Sequence, residues 1–317
     1  MRATFELLRL MNRRQWFREV AADVVHFHFL DLDQASRLAR RLGAASAIHD
    51  WCEKSVEPVG SSAGLLLTDH TVFTSPSEIV PEEAKAALLE TFGNIVSVDS
   101  KSFEVVRAYQ ADHPGRSWFI PNSVNTDVFH PSRRLRDAFR VGFAGRAGKP
   151  GEGILEEVIR ELGSSVAWRF AAAGELHDVR RGVSARVRAE VRADIELFHN
   201  LDYLHMPEFY SAIDVLFNPF PGEGVGRTSL EAMACGVPVV AVGRGNKYPI
   251  QNGETGYVLP PDPKIIAETI LGLQKDPELT EAMGRRARAT VEREFSNRTV
   301  LPTLRAVYSQ LADSVRA

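Results

Sequence analysis

Long apolar runs are missing from this sequence; none reaches the length of about 18 residues that a membrane-crossing helix needs. The N-terminal region also lacks the basic, apolar and small-residue segments of a signal peptide. Cysteine is scarce. Only Cys52 and Cys235 occur, which suits a reducing compartment and does not read as a disulfide framework. Positive charge is not in excess: 38 Lys and Arg stand against 41 Asp and Glu, for a net charge of −3. That balance carries no polyanion-binding signal, so nucleic acid is not an expected partner. Internal repeats and low-complexity stretches are also lacking. His177, Asp178, His199 and His205 are scattered without metal-ligand spacing, and no catalytic metal is expected. What remains is the composition of a soluble cytoplasmic protein, 44% hydrophobic and 25% charged over 317 residues, long enough for two domains.

The N-terminus opens on an amphipathic stripe. Phe5, Leu7, Leu8, Leu10, Met11, Trp16, Phe17 and Val20 alternate with Arg2, Arg9, Arg13, Arg14 and Arg18. Such a helix packs on its own domain; the alternative is peripheral contact with an anionic membrane. Beyond it, strand and helix patterns alternate. Strands are expected at 23–30 and 45–50, with a helix between them at 33–42. The segment 52–81 is long and rich in Ser, Thr, Gly and Pro, which points to a functional loop or an inserted hairpin around 64–73. A helix at 81–92, a strand at 95–98, a helix at 100–110 and a strand at 117–120 complete this half. The segment 121–131 (PNSVNTDVFHP) reads as an interdomain connection.

The second half restarts the pattern: a strand at 140–144, a glycine-rich loop from Gly145 to Gly151, a helix at 154–162 and a strand at 166–173. A basic helix follows at 180–191, another at 205–214, and a strand at 215–218. Two or three helices end the chain after a strand near 256–259. The alternation argues a parallel α/β sheet with right-handed crossovers.

The densest signal is the stretch from Glu223 to Ala241, EGVGRTSLEAMACGVPVVA. Turn residues Asn218, Pro219, Pro221, Gly222, Gly224 and Gly226 precede a helix that Thr228 or Ser229 can cap, with Glu231 in its first turn. Gly236 stops that helix, and 237–241 reads as a buried parallel strand. The N–H groups at the helix start, together with its macrodipole, suit a phosphate. Glu231 can accept two hydrogen bonds from a ribose diol, while Glu223 can meet hydroxyls further along the ligand.

These residues (Glu, seven residues, then Glu-Ala-Met-Ala-x-Gly-x-Pro-Val-Val-Ala) closely resemble the signature of retaining GT-B glycosyltransferases of family 4, the glycosyl transferases group 1. The segment 121–131 resembles the stretch that leads out of the first domain in that family, with Ser123 and Asn125 in place of its usual glycine and aspartate. The resemblance implies two Rossmann-like domains with parallel sheets facing a cleft. It divides the chain into 1–125, a reduced acceptor-side domain; 126–295, the nucleotide-sugar domain; and 296–317, a helix crossing back to the first. It also implies a metal-independent transferase moving a sugar from a nucleoside-diphosphate donor to a glycan, lipid-linked or small-molecule acceptor.

Site residues carry over one by one. Gly145, Arg146 and Lys149 match the family's phosphate-facing loop, although its lysine usually lies further from the arginine. Glu223, Gly224, Val225, Gly226, Arg227, Thr228 and Glu231 line the nucleotide, and His49 matches a histidine near the sugar hydroxyls. Arg146, Lys149, Glu223 and His49 are the expected catalytic set. His28 resembles a frequent family position, though His26 and His28 read as packing residues. Asp31 and Asp33 imitate the Asp-x-Asp metal site of the other glycosyltransferase fold, but Asp33 more plainly caps the next helix. The family's first domain normally opens with further βα units, including a glycine-rich turn. The expectation is therefore a reduced first domain of about four strands, one completed by another subunit, or a truncated chain. Two other functions stay open: a non-catalytic nucleotide-sugar-binding or scaffold subunit, and a UDP-sugar epimerase of the same fold.

Overall fold

The computed structural model describes residues 24–28, 64–69, 82, 85, 86, 89, 92–111, 115–132, 138–146, 151–173, 194–221, 224–243 and 247–316. The expected N-terminal helix, the helix at 33–42, the strand at 45–50 and the basic helix at 180–191 lie outside the described residues. The chain forms two compact units, Met1–Pro121 with Pro302–Ala317, and Asn122–Leu301.

In the first unit, strands β1 (Val24–His28), β2 (Gly64–Asp69), β3 (Asn94–Ser97) and β4 (Arg116–Phe119) form a parallel sheet in the order β1-β2-β3-β4. The hairpin expected around 64–73 is thus corrected. Gly64 to Asp69 is one strand, parallel to β1 on one side and to β3 on the other. Leu66, Leu67 and Thr68 are buried. A strand covered on both faces shows no alternation, and flanking Ser, Thr and Gly gave this one the look of a loop. Glu82, Lys85, Ala86, Leu89 and Phe92 are helical, within the helix expected there. Helix α1 (Ser100–Tyr109) starts where Asp99 accepts a hydrogen bond from the Ser102 N–H at 2.8 Å.

The second unit is a doubly wound sheet. Its strands are β5 (Arg140–Arg146), β6 (Ala167–Ala173), β7 (Ile195–His199), β8 (Val215–Asn218), β9 (Val239–Val242) and β10 (Gly256–Leu259). All pair in parallel, in the order β10-β9-β8-β5-β6-β7. Strand β7 has no counterpart among the sequence expectations. Its five residues (IELFH) include two polar ones, too weak a pattern to stand out from the surrounding polar chain.

The period of two along each strand divides the core. Val141 and Phe143 of β5, Val215 and Phe217 of β8, and Val240 and Val242 of β9 face helices α2 (Glu152–Leu162) and α5 (Pro263–Lys275). Leu216 of β8 and Val239 and Ala241 of β9 face the other layer. That layer holds α3 (Met206–Ser211), α4 (Arg227–Ala234) and α6 (Pro277–Glu294). Apolar burial on both faces, at about 25 cal/mol per Å², holds the two layers to the sheet.

Helices α4 and α6 meet at backbone distance. A Cβ on Gly284 would lie 2.1 Å from the Gly236 carbonyl oxygen, and both partners are main chain. Gly284→Ala is therefore expected to cost about 2–3 kcal/mol in urea unfolding. Gly272→Ala, in an exposed part of α5 with nothing near its added Cβ, should stabilise by about 0.5–1 kcal/mol. Gly236 itself has φ +71°, the left-handed stop expected after α4.

The connecting segment after Pro121 is fastened within the second unit. The Val124 N–H donates to the Phe295 carbonyl at 2.9 Å, and the Asn297 N–H to the Val124 carbonyl at 2.9 Å. Phe129 is fully buried. Helix α7 (Asn297–Arg316) begins in this unit, and from Pro302 onward it groups with the first.

Candidate functional site

Strand order reverses between β5 and β8. From β5 the chain proceeds outward through β6 and β7; from β8 it proceeds the other way through β9 and β10. Loops leaving the carboxyl ends of two such strands diverge and open a crevice, where open α/β sheets take their ligands. The two loops singled out in the sequence are those two. Val141 and Gly142 pair with Val215 and Leu216. The glycine-rich loop leaves β5 at Arg146, and the loop toward Glu231 leaves β8 at Asn218.

The loops also touch. Gly145 lies against Phe220, whose ring would be 2.9 Å from an added Cβ. Gly151 has φ +106°, and a Cβ there would come within 2.4 Å of the Pro219 carbonyl oxygen. Gly151→Ala combines left-handed strain of about 1–2 kcal/mol with a clash against main chain. It is expected to lower the melting temperature by a few degrees, read from a thermal unfolding scan.

Asn218 fastens the start of the second loop to the helix that follows it. Its Nδ2 donates to Ser229 Oγ at 2.8 Å, and its Oδ1 accepts from the Phe220 N–H at 3.1 Å. Lys247, buried at 5% exposure, donates from Nζ to the Phe220 carbonyl at 3.3 Å. Its stem passes over Gly243, where an added Cβ would meet Lys247 Cε at 2.5 Å. The loop after β8 is thereby held from both neighbours.

Helix α4 begins two or three residues earlier than its expected capping residues suggested. Gly226 is the N-cap, in extended geometry, and no side chain caps the helix. Neither Thr228 nor Ser229 fills that role, because both lie inside the helix and Ser229 Oγ is taken by Asn218. Glu231 consequently sits in the second turn rather than the first. Among the described residues nothing covers the helix end: Gly226 and Arg227 are exposed, and a Cβ on Gly226 would meet none of them within 4 Å. The N–H groups of Arg227 and Thr228 belong to the first turn, which has no internal acceptors for its donors. An anion there gains the macrodipole as well, about 0.3–1 kcal/mol at an exposed helix end.

Glu231 is half-buried, and its Oε2 accepts a hydrogen bond from the Tyr210 hydroxyl at 2.9 Å. Burial pushes its carboxyl above the usual carboxylate range; the Tyr210 hydrogen bond and the Arg227 guanidinium pull it back. Burial, and then the Glu231 charge, push the Tyr210 hydroxyl well above the ordinary phenol range. Tyr203, half exposed on the loop after β7, is raised by partial burial and also feels Glu231 and Arg227.

Gly145 thus stands at the end of β5, while Gly224, Val225, Gly226, Arg227, Thr228 and Glu231 lie on the loop and helix that follow the neighbouring strand β8. The backbone of Arg146 ends β5 beside it. Lys149, Glu223, His49, His177, Asp178, Asp31 and Asp33 lie outside the described residues, as does the Arg146 side chain. Among the described residues no three His, Cys, Asp or Glu side chains converge as metal ligands. Tyr210 and Lys247 went unnoticed in the sequence, and Ser229 was read there only as a candidate cap. Their types carry no local signal, because each matters through a partner on another element.

Comparison with known proteins places this architecture. Sucrose-phosphate synthase from Thermosynechococcus elongatus superposes with a TM-score of 0.68 at 17% identity, covering 98% of this chain and 78% of that one. HepE of Anabaena, solved in complex with UDP-glucose, gives a TM-score of 0.64 at 18% identity, covering 92% of this chain and 85% of that one. The fold is that of GT-B glycosyltransferases, as the parallel α/β reading anticipated. Residues 138–276, which run from β5 through α5, match the family model described as glycosyl transferases group 1. Among curated proteins, the capsular polysaccharide biosynthesis glycosyltransferase CapM of Staphylococcus aureus is 37% identical over 32% of this chain and 27% of its own length. The D-inositol 3-phosphate glycosyltransferase of Geodermatophilus obscurus is 27% identical over 93% of this chain and 68% of its own. The matched part of this chain therefore spans about a quarter of the first relative's length and about two thirds of the second's. Among the described residues, no helix is long and apolar enough to cross a membrane.

Proposed function

We propose that this chain is a retaining, metal-independent glycosyltransferase that moves a sugar from a nucleoside-diphosphate donor to a hydroxyl of its acceptor. The observation that carries the reading is the adjacency of β5 and β8 at the point where strand order reverses. It sets the two ends of the glycine-rich loop, Gly145 and Gly151, against Phe220 and Pro219, in the segment that leads to α4 and the half-buried Glu231. A diphosphate suits the N-terminal end of α4, which Gly224, Val225, Gly226, Arg227 and Thr228 form, and Arg146 and Lys149 are the cations assigned to its phosphates. Glu231 is assigned to the ribose diol, Glu223 to the hydroxyls of the transferred sugar, and His49 to that same sugar, as the family resemblance implies. The reading is supported by the group 1 match, which covers β5 to α5, and by the UDP-glucose bound to HepE.

In the reaction the anomeric carbon–oxygen bond to the diphosphate breaks, and a bond to the acceptor oxygen forms on the same face. The acceptor proton passes to the departing phosphate oxygen. Glu223 and Glu231 serve the donor rather than flanking the scissile bond, unlike the paired acids of glycoside hydrolases. The charge that develops on the leaving group is met by the helix end and by Arg146, a preorganised electrostatic site that needs no metal. The acceptor is a glycan, lipid-linked or small molecule. Relatives are named for capsular polysaccharide and inositol phosphate, and TarM was solved with fondaparinux, α-GlcNAc-glycerol and UDP.

A thermal-shift screen of UDP, GDP, ADP and dTDP sugars tests this. One base should raise the melting temperature, and Glu231→Ala should abolish that shift; no shift with any donor would overturn the reading. With the donor found, the product should keep the anomeric configuration by NMR, and EDTA should leave the rate unchanged.

A further inference from the structure

One buried polar group at the site has no part in those roles: the hydroxyl of Tyr210. We propose that Tyr210 is a positioning residue for Glu231, claiming Oε2 so that Oε1 is presented to the ribose of the nucleotide. This rests on the assignment of Glu231 to the ribose.

The geometry makes the phenol a fixed point. Tyr210 is fully buried. Its ring meets Phe209 edge-on, with centroids 5.4 Å apart at 75°, and lies tilted against Phe129 at 6.1 Å. It stands on α3, which runs almost directly into β8, the strand that also supplies the Glu231 loop. Donor and acceptor of the bond are therefore anchored to the same sheet. A glutamate side chain has three torsions, and freezing them when a ligand arrives costs roughly 1.5–2 kcal/mol. A preformed bond to Tyr210 meets that cost during folding instead, so that the ribose encounters a carboxylate already aimed. A carboxylate has about four acceptor sites, so one bond to Tyr210 still leaves room for two ribose hydroxyls.

Among the described residues, the charged and titratable groups that face Glu231 are Tyr203, from the loop after β7, Tyr210 of α3, and Arg227 of its own helix. Cys235 faces Tyr210 from the far end of α4. Of these, Tyr210 and Arg227 favour the ionised carboxyl, and burial opposes it. Removing the Tyr210 hydroxyl therefore raises the carboxyl further, and nucleotide binding should fade at a higher pH than in the wild type.

The experiment is calorimetric titration of UDP, GDP and ADP into the wild type, Tyr210→Phe, Glu231→Ala and the double variant, across about pH 5 to 8. Tyr210→Phe should weaken the best-bound nucleotide about tenfold and move the acid limb of binding upward. In the Glu231→Ala background the same change should cost less than about twofold, because the hydroxyl acts through that carboxylate. Wild-type affinity and an unmoved acid limb in Tyr210→Phe would overturn the proposal. So would an undiminished loss in the Glu231→Ala background, which would mark a scaffolding role. If Glu231→Ala binds like the wild type, or the wild type binds none of the three, the ribose assignment itself falls and takes the proposal with it. Should Tyr210→Phe fail to fold, Glu231→Gln decides the matter. Tyr210 would hold the amide oxygen and turn the NH2 toward the ligand, so Glu231→Gln should bind nearly as poorly as Glu231→Ala; near-native affinity would overturn the proposal.

Discussion

Replacing Glu231 with alanine should lower kcat/KM for the sugar donor by roughly 100- to 1,000-fold. The figure follows from the bonds lost. A carboxylate accepting from two ribose hydroxyls makes two charge-assisted hydrogen bonds, each worth about 1.5–3 kcal/mol, and water recovers part of that in the shortened side chain. A net loss of about 3–4 kcal/mol remains, or two to three decades. Because the ribose is remote from the breaking bond, most of the loss should fall on KM and on nucleotide affinity, with kcat changed less. The fold should survive. The change orphans the Tyr210 hydroxyl, at a cost of about 1–3 kcal/mol, but it also removes a partly buried carboxyl whose charge burial disfavours. Initial rates and calorimetric titration on a variant with a normal circular dichroism spectrum check this. Undiminished donor affinity would remove Glu231 from the site.

Arg146→Ala should act on the other kinetic constant. Arg146 is the last residue of β5, whose neighbours are β6 and β8, so its backbone stands at the reversal of strand order. A guanidinium there gains most when the bond to the diphosphate breaks and the leaving group acquires charge. Its loss should lower kcat by roughly 10²- to 10³-fold, the usual effect of removing one preorganised donor from a developing anion. Donor KM should move little, and kcat/KM should fall in parallel with kcat. Arg146→Lys should recover part of the rate, since an ammonium restores the charge but not the paired donors. A variant with unchanged kcat would show that the departing phosphate is met elsewhere.

The two expectations differ in how far the sequence alone carries them. The helix with Glu231 was legible because its cues are local: turn residues before it, a glycine at the left-handed stop, and an apolar strand behind. Its start was misjudged by two or three residues, since Thr228 and Ser229 look like caps until Asn218 is seen to occupy Ser229. Strand β2 was mistaken for a hairpin because burial on both faces erases the alternation that identifies a strand. Strand β7 passed unnoticed because a short edge strand carries too few apolar residues to register.

By itself the sequence determined the parallel α/β pattern of the second unit, the turn that leads into the Glu231 helix and the stop at Gly236, and the likeness to group 1 glycosyltransferases. These are properties of residues within one or two turns of each other, where propensity and spacing act directly. Only the tertiary structure decided that β5 and β8 are neighbours, that Tyr210 holds Glu231, and that Lys247 reaches the Phe220 carbonyl. Strand order is settled by how two apolar faces are buried at once across the whole sheet, and no short window of sequence contains that information.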